Sequence, residues 1–150
     1  MVVGALGAIM QNDIKRMMAY SSIAHMGYAL AGLAAGTQQG ALGVIIYMTG
    51  YIFMSAGSFA IILLMRRDDQ AATKIGDLQG LSRTHPVLAL GMMIMMFSMA
   101  GIPPLAGFFG KWYVFLAAVN AGLIPLAVIG VVMSVVGAFY YLRIIRIMYF

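Results

Sequence analysis

Cysteine is absent from this 150-residue chain, its four acids are all aspartate, and charged residues make up 9% of it, against roughly 25% in an ordinary soluble domain. The missing cysteine excludes a disulfide-stapled secreted domain, and the shortage of charge excludes a disordered tail and a soluble globular enzyme. No cluster of His, Asp and Glu has metal-ligand spacing, no glycine loop is built to cradle phosphate, and no Ser/His/Asp set suggests a hydrolase. The formal charge of +5 comes from Lys and Arg scattered through apolar sequence, which make no groove for nucleic acid. What remains is 63% hydrophobic, with 18 Gly, 15 Met and a mean hydropathy of +0.98. That is the composition of an all-α polytopic membrane protein.

A membrane span needs roughly 20 apolar residues. Four segments satisfy this and are read as full transmembrane helices: about 17–36, 41–65, 86–120 and 123–149. Residues 1–10 are apolar but too short to cross. Without a basic leader or a cleavage site they read as part of a helix cut off upstream, with a short interfacial helix as the alternative. The chain is therefore expected to be one membrane domain and a fragment of a longer protein.

If each segment crosses once, the 11–16 turn, the 66–85 loop and the 143–146 end share one face. That face holds Lys15, Arg16, Arg66, Arg67, Lys74, Arg83, Arg143 and Arg146, eight of the nine basic residues, together with Asp13, Asp68, Asp69 and Asp77. The turns at 36–40 and 120–122 carry no charge. The positive-inside rule makes the charged face cytoplasmic.

Lys111 is the ninth basic residue and fits no loop. The segment from 86 to 120 would measure about 52 Å as one straight helix, far more than the hydrocarbon needs. Gly101, Pro103, Pro104 and Gly107 stand in its middle, where two prolines remove backbone donors and the glycines loosen the chain. The reading is a span broken at Gly101–Pro104 into halves 86–100 and 107–120, with Lys111 on the second half. Irregular backbone within a membrane persists only where protein or a watery cavity satisfies it, and broken helices recur at transporter ion sites. An amine there holds its proton subject to hydration and neighbouring charge, which suits proton transfer. Two structural readings stand beside this one. Lys111 could snorkel to the interface next to Trp112 and Tyr113, or serve as a static partner of carbonyls exposed at the break.

Ser21, His25, Tyr28 and Gly32 share one helical face, with Ser22 close by, and Tyr47, Tyr51, Ser55 and Ser58 share another. Such polar stripes face protein or water. His25 is the titratable member and a possible proton relay, with interhelical hydrogen bonding as the alternative. For the hydroxyls the structural role is favoured. His85, beside Pro86, reads as a helix-start residue.

The stretch from Gln11 to Tyr28, QNDIKRMMAYSSIAHMGY, resembles the signature of the proton-translocating, antiporter-like membrane subunits of respiratory complex I. MAGIPPLAGFFGKWY, Met99 to Tyr113, resembles that family's broken twelfth helix with its lysine. The likeness runs along the whole chain. Within the family it is greatest to the subunit N branch, on the form of the second motif and the pair Tyr47 and Tyr51. The largest sister branch has histidines there and a lysine where this chain has Ser55, which weakens any titratable role for these three.

The resemblance implies that the chain is the end of the ninth helix through the thirteenth. It further implies that Lys111 matches the lysine near the exit half-channel and that His25 lines the central polar axis. The family's fifth-helix glutamate and its seventh- and eighth-helix lysines would lie upstream. The implied function is proton translocation driven by quinone reduction in a redox-driven translocase. NAD, FMN, iron–sulfur clusters and quinone would sit in partner subunits and none in this chain. The implied partners are the other membrane subunits of complex I and the lipid bilayer of a bacterial inner membrane. The alternatives are a subunit of a cation/proton antiporter or of a membrane-bound hydrogenase, which share these motifs, and a structural membrane scaffold.

Overall fold

The computed structural model describes all residues except Asp68, Asp69 and Ala72, with only the backbone of 66–67 and 70–71. The expectation that puts Asp68 and Asp69 on the charged face thus lies outside the described residues. The described residues are mostly helical: α1 (Val2–Ile9), α2 (Ile14–Ala34), α3 (Gln38–Leu64), α4 (Leu81–Thr84), α5 (Pro86–Ala100), α6 (Ala106–Asn120) and α7 (Ile124–Tyr149). Between α3 and α4 lie a two-residue antiparallel pairing of β1 (Arg66–Arg67) with β2 (Gln70–Ala71) and a 3₁₀ turn, Ile75–Leu78.

Local chemistry sets the helix ends. Asp13 accepts a hydrogen bond from the Arg16 amide at 2.8 Å and starts α2 at Ile14, three residues before the first apolar pair at Met17. Thr37 caps α3 in the same way through the Gly40 amide, at 3.0 Å. Pro86 opens α5 directly after His85, whose own side chain is exposed.

At 27 and 26 residues, α3 and α7 are long and apolar enough to cross a membrane. α5 and α6 have 15 residues each, about 22 Å apiece, and neither would cross alone. Both lie along α3. Gly43 and Tyr47 of α3 face Tyr113 and Gly110, Met54 faces Gly107, and Gly57 and Ile61 face Met95 and Gly91. The pairing descends steadily, so α5 and α6 together form one interrupted rod running antiparallel to α3.

The two ends of the bundle differ in chemistry. At one, Ile14 donates to the Thr73 carbonyl and Ile75 to the Asn12 carbonyl, at 2.9 and 2.8 Å. Arg143 reaches the Gln11 carbonyl and the Asn12 side chain there, at 3.3 and 2.9 Å. At the other, Asn120 donates to Gln39 at 3.1 Å, and the neighbouring turns are uncharged. Leu30, Ile45, Phe53, Leu63, Val128, Val135 and Phe139 are exposed along the sides, the inverse of a soluble surface.

Candidate functional site

The break in the α5–α6 rod is built by backbone hydrogen bonding. Gly101 takes a left-handed conformation, φ 88°, that glycine adopts readily. Its amide donates to Ser98 O at 3.0 Å, and Ile102 N donates to Phe97 O at 3.1 Å. This pair of bonds is a Schellman ending, which satisfies the carbonyls of Phe97 and Ser98 and turns the chain out of the helix. Pro103 and Pro104 follow, and neither can donate to a continuing helix. Gly107 then brings the start of α6 against the end of α5. Its amide donates to Ser98 Oγ at 3.2 Å, and a Cβ at this position would collide with the Ser98 carbonyl.

The Schellman bonds leave the carbonyls of Met99 and Ala100, and Lys111 takes both. Its Nζ donates to Met99 O at 2.9 Å, to Ala100 O at 3.0 Å and to Ser134 Oγ of α7 at 2.8 Å. An ammonium has three donors and no acceptor, so this set is complete. The partners are neutral, and the C-terminal end of α5 adds the favourable field of its carbonyl dipoles. The Tyr28 ring stands 5.2 Å from Nζ. Lys111 is only 7% exposed while Trp112 is 57% exposed, so the lysine turns into the bundle and does not snorkel.

A second polar cluster lies on the far side of Tyr28, whose ring meets His25 edge-on at 5.8 Å. His25 Nδ1 bonds the Tyr47 hydroxyl at 2.5 Å, and Nε2 bonds the Tyr141 hydroxyl at 2.9 Å. Tyr141 also bonds Ser21 Oγ. The Tyr51 ring stacks on the imidazole at 4.8 Å, and its hydroxyl donates to Ser22 Oγ at 2.8 Å. Every group in the run Ser21–Tyr141–His25–Tyr47 can both donate and accept. The run can be polarised in either direction without losing a bond, which is the property a proton-conducting chain needs. Among the described residues no buried side-chain nitrogen or oxygen lacks a partner.

Residues 1–137 match the family described as the transmembrane region of NADH:quinone oxidoreductase and Mrp antiporter subunits. The chain belongs to this family. It is similar to NADH-quinone oxidoreductase subunit N of Rhodospirillum rubrum, 61% identical over 150 residues, which are all of this chain and 31% of that protein. The chain thus spans just under a third of the length of such relatives. Among solved structures it resembles respiratory complex I from Thermus thermophilus with bound aureothin, with a TM-score of 0.84 and 37% identity over 98% of this chain and 33% of that one. It also resembles the Mrp complex from Dietzia sp. DQ12-45-1b, with a TM-score of 0.88 and 28% identity over 99% of this chain and 28% of that one.

Within this antiporter-like scaffold the structure brings His25, Ser21, Ser22, Tyr47 and Tyr51 into one cluster, and Tyr28 between that cluster and Lys111. Ser55 is half-buried and takes no part in the hydrogen-bonded run. Ser58 bonds the Met54 carbonyl of its own helix at 2.8 Å. Three contributors went unread in the sequence: Ser98, Ser134 and Tyr141. The last two lie seven residues apart on α7, two turns along one face, and that spacing of hydroxyls in an apolar helix is the signal that could have found them. Among the described residues no His, Cys, Asp and Glu group could hold a metal ion.

Proposed function

We propose that this chain is the C-terminal part of a proton-translocating membrane subunit of NADH-quinone oxidoreductase, working beside the other membrane subunits of that complex in a bacterial inner membrane. Lys111 is its titratable group, and His25 with its phenol partners is the element that exchanges protons with it across Tyr28. The complex is a redox-driven translocase whose NAD, FMN, iron–sulfur and quinone chemistry resides in partner subunits. Four crossings, by α2, α3, the α5–α6 rod and α7, put the charged end in the cytoplasm.

The observation that carries this reading is the setting of the Lys111 amine, buried at a helix break and held by neutral acceptors. Among the described residues no carboxylate stands beside it, so the charge of its protonated form is uncompensated and its proton affinity would answer electrostatic changes in neighbouring subunits. The identity of 61% to a subunit N supports the complex I assignment over an Mrp-type antiporter, for which the likeness of 28% supports a shared scaffold.

The test is Lys111→Ala in the full subunit, assembled in the complex in membrane vesicles. Proton uptake driven by NADH is expected to be lost while NADH oxidation by an artificial acceptor continues. Lys111→Arg is expected to keep the structure and also fail to pump, because guanidinium does not readily release its proton. Pumping by the alanine variant at wild-type rate and stoichiometry would leave a structural role as the better account.

A further inference from the structure

We propose that Ser134 is the positioning residue that lets Lys111 keep a full set of partners in both of its protonation states. This rests on the reading of Lys111 as the titratable group.

The argument follows from counting donors and acceptors. The ammonium form has three N–H groups, and they meet three acceptors within 3.0 Å: Met99 O, Ala100 O and Ser134 Oγ. The neutral amine has two N–H groups and a lone pair. Its two donors can stay on the carbonyls, but a carbonyl cannot donate to the lone pair. Of the three partners only the Ser134 hydroxyl can rotate and donate. One rotation about its C–O bond therefore keeps the site satisfied when the proton leaves, with no backbone movement. Leaving a buried polar atom unpaired would instead oppose one of the two states.

Among the described residues no other side chain is hydrogen-bonded to the amine. α2 presents Tyr28, whose ring face, not its hydroxyl, is turned to Nζ at 5.2 Å. α3 presents Tyr47, packed against Gly110 and bonded to His25. α5 offers the two carbonyls, and no Asp or Glu occurs in any of these helices.

Ser134 also borders open space beside the amine. A cavity of about 420 Å³ opens beside the break, with Ile102, Phe108, Phe115 and Val135 among its apolar walls and Lys111 and Ser134 as hydrophilic side chains. The amine and its adaptable partner thus both stand where the bundle interior meets this cavity, with Ala100 on the same wall.

Complex I assembled with the full-length subunit carrying Ser134→Ala, Ser134→Thr, Ser134→Cys or Lys111→Ala tests this in vesicles. NADH oxidation by an artificial acceptor serves as the assembly control, and NADH-driven proton uptake is followed against pH. Ser134→Ala is expected to slow uptake roughly tenfold, as loss of one hydrogen bond to a charged group predicts, and to displace the pH profile. Ser134→Thr, which keeps the hydroxyl, is expected to restore both, and Ser134→Cys to fall between. Normal rate and profile in Ser134→Ala, alongside a dead Lys111→Ala, would overturn the role of Ser134 and leave the lysine reading standing. Equal loss in the alanine and threonine variants would also overturn it, since that marks a packing effect. Undiminished pumping by Lys111→Ala would overturn both.

Discussion

The imidazole of His25 and the phenol of Tyr141 meet at 2.9 Å across 116 residues of chain, and both are 1% exposed. This contact ties α7 to α2 through the one imidazole that lies inside the bundle among the described residues. Tyr141→Phe would leave His25 Nε2 and Ser21 Oγ without that partner, at a cost of about 0.6–1.7 kcal/mol for an interhelical bond of this kind. Tyr47→Phe is expected to cost a similar amount from the other ring nitrogen. The double variant should cost less than the sum of the two, because both act on one imidazole. Thermal unfolding of the full-length subunit in detergent measures all three, and strict additivity would contradict a shared network.

Gly107 is expected to tolerate no side chain. Gly107→Ala puts a methyl group into the Ser98 carbonyl, and backbone cannot yield as a flexible side chain can. A loss at or beyond the upper end of about 1–3 kcal/mol is expected, with poor assembly of the complex. Gly76→Ala, where nothing lies within 4 Å, is the control and should stay within about 0.5 kcal/mol of wild type.

Gly101 is constrained through its backbone conformation. At φ 88° an alanine costs about 1–2 kcal/mol, and its Cβ would stand 3.2 Å from Lys111 Nζ. Gly101→Asn is expected to be milder, since asparagine tolerates this conformation better. Stability measured beside proton uptake separates the two effects. Asparagine should recover most of the stability, and neither variant the full pumping rate, because each crowds the amine.

Asp13→Ala removes the cap of α2. A loss of about 1 kcal/mol is expected, confined to the first turn, and Asp13→Asn should restore most of it. Hydrogen exchange at the amides of residues 14–17 is the readout, and protection unchanged in the alanine variant would show that the cap contributes nothing.

The place of the break was legible because Gly101, Pro103 and Pro104 each act on the backbone, where local sequence suffices. So was the inward polar face of α2, on which Ser21, His25 and Tyr28 are buried. What α7 contributes was not, since Ser134 and Tyr141 stand in apolar surroundings and their partners come from α6 and α2. Ser55 shows the limit of counting by fours. Each such step turns the helix by about 40°, so eight residues after Tyr47 the side chain has swung about 80° out of line. The 66–85 connection read only as hydrophilic, yet Ile75 and Leu78 are buried and extend the core at the charged end.

The interrupted rod along α3 is fastened across its gap by a side chain of one half gripping the last carbonyls of the other. Shape and protonation of such a joint are thermodynamically linked, and the linkage is reciprocal. If Lys111 titrates as proposed, a bend at the gap that changes its contacts would alter its proton affinity, and a change of proton would alter how the two halves prefer to lie. On that proposed role, the same α5–α6 joint would respond to a push from either side, mechanical at the gap or electrical at the amine.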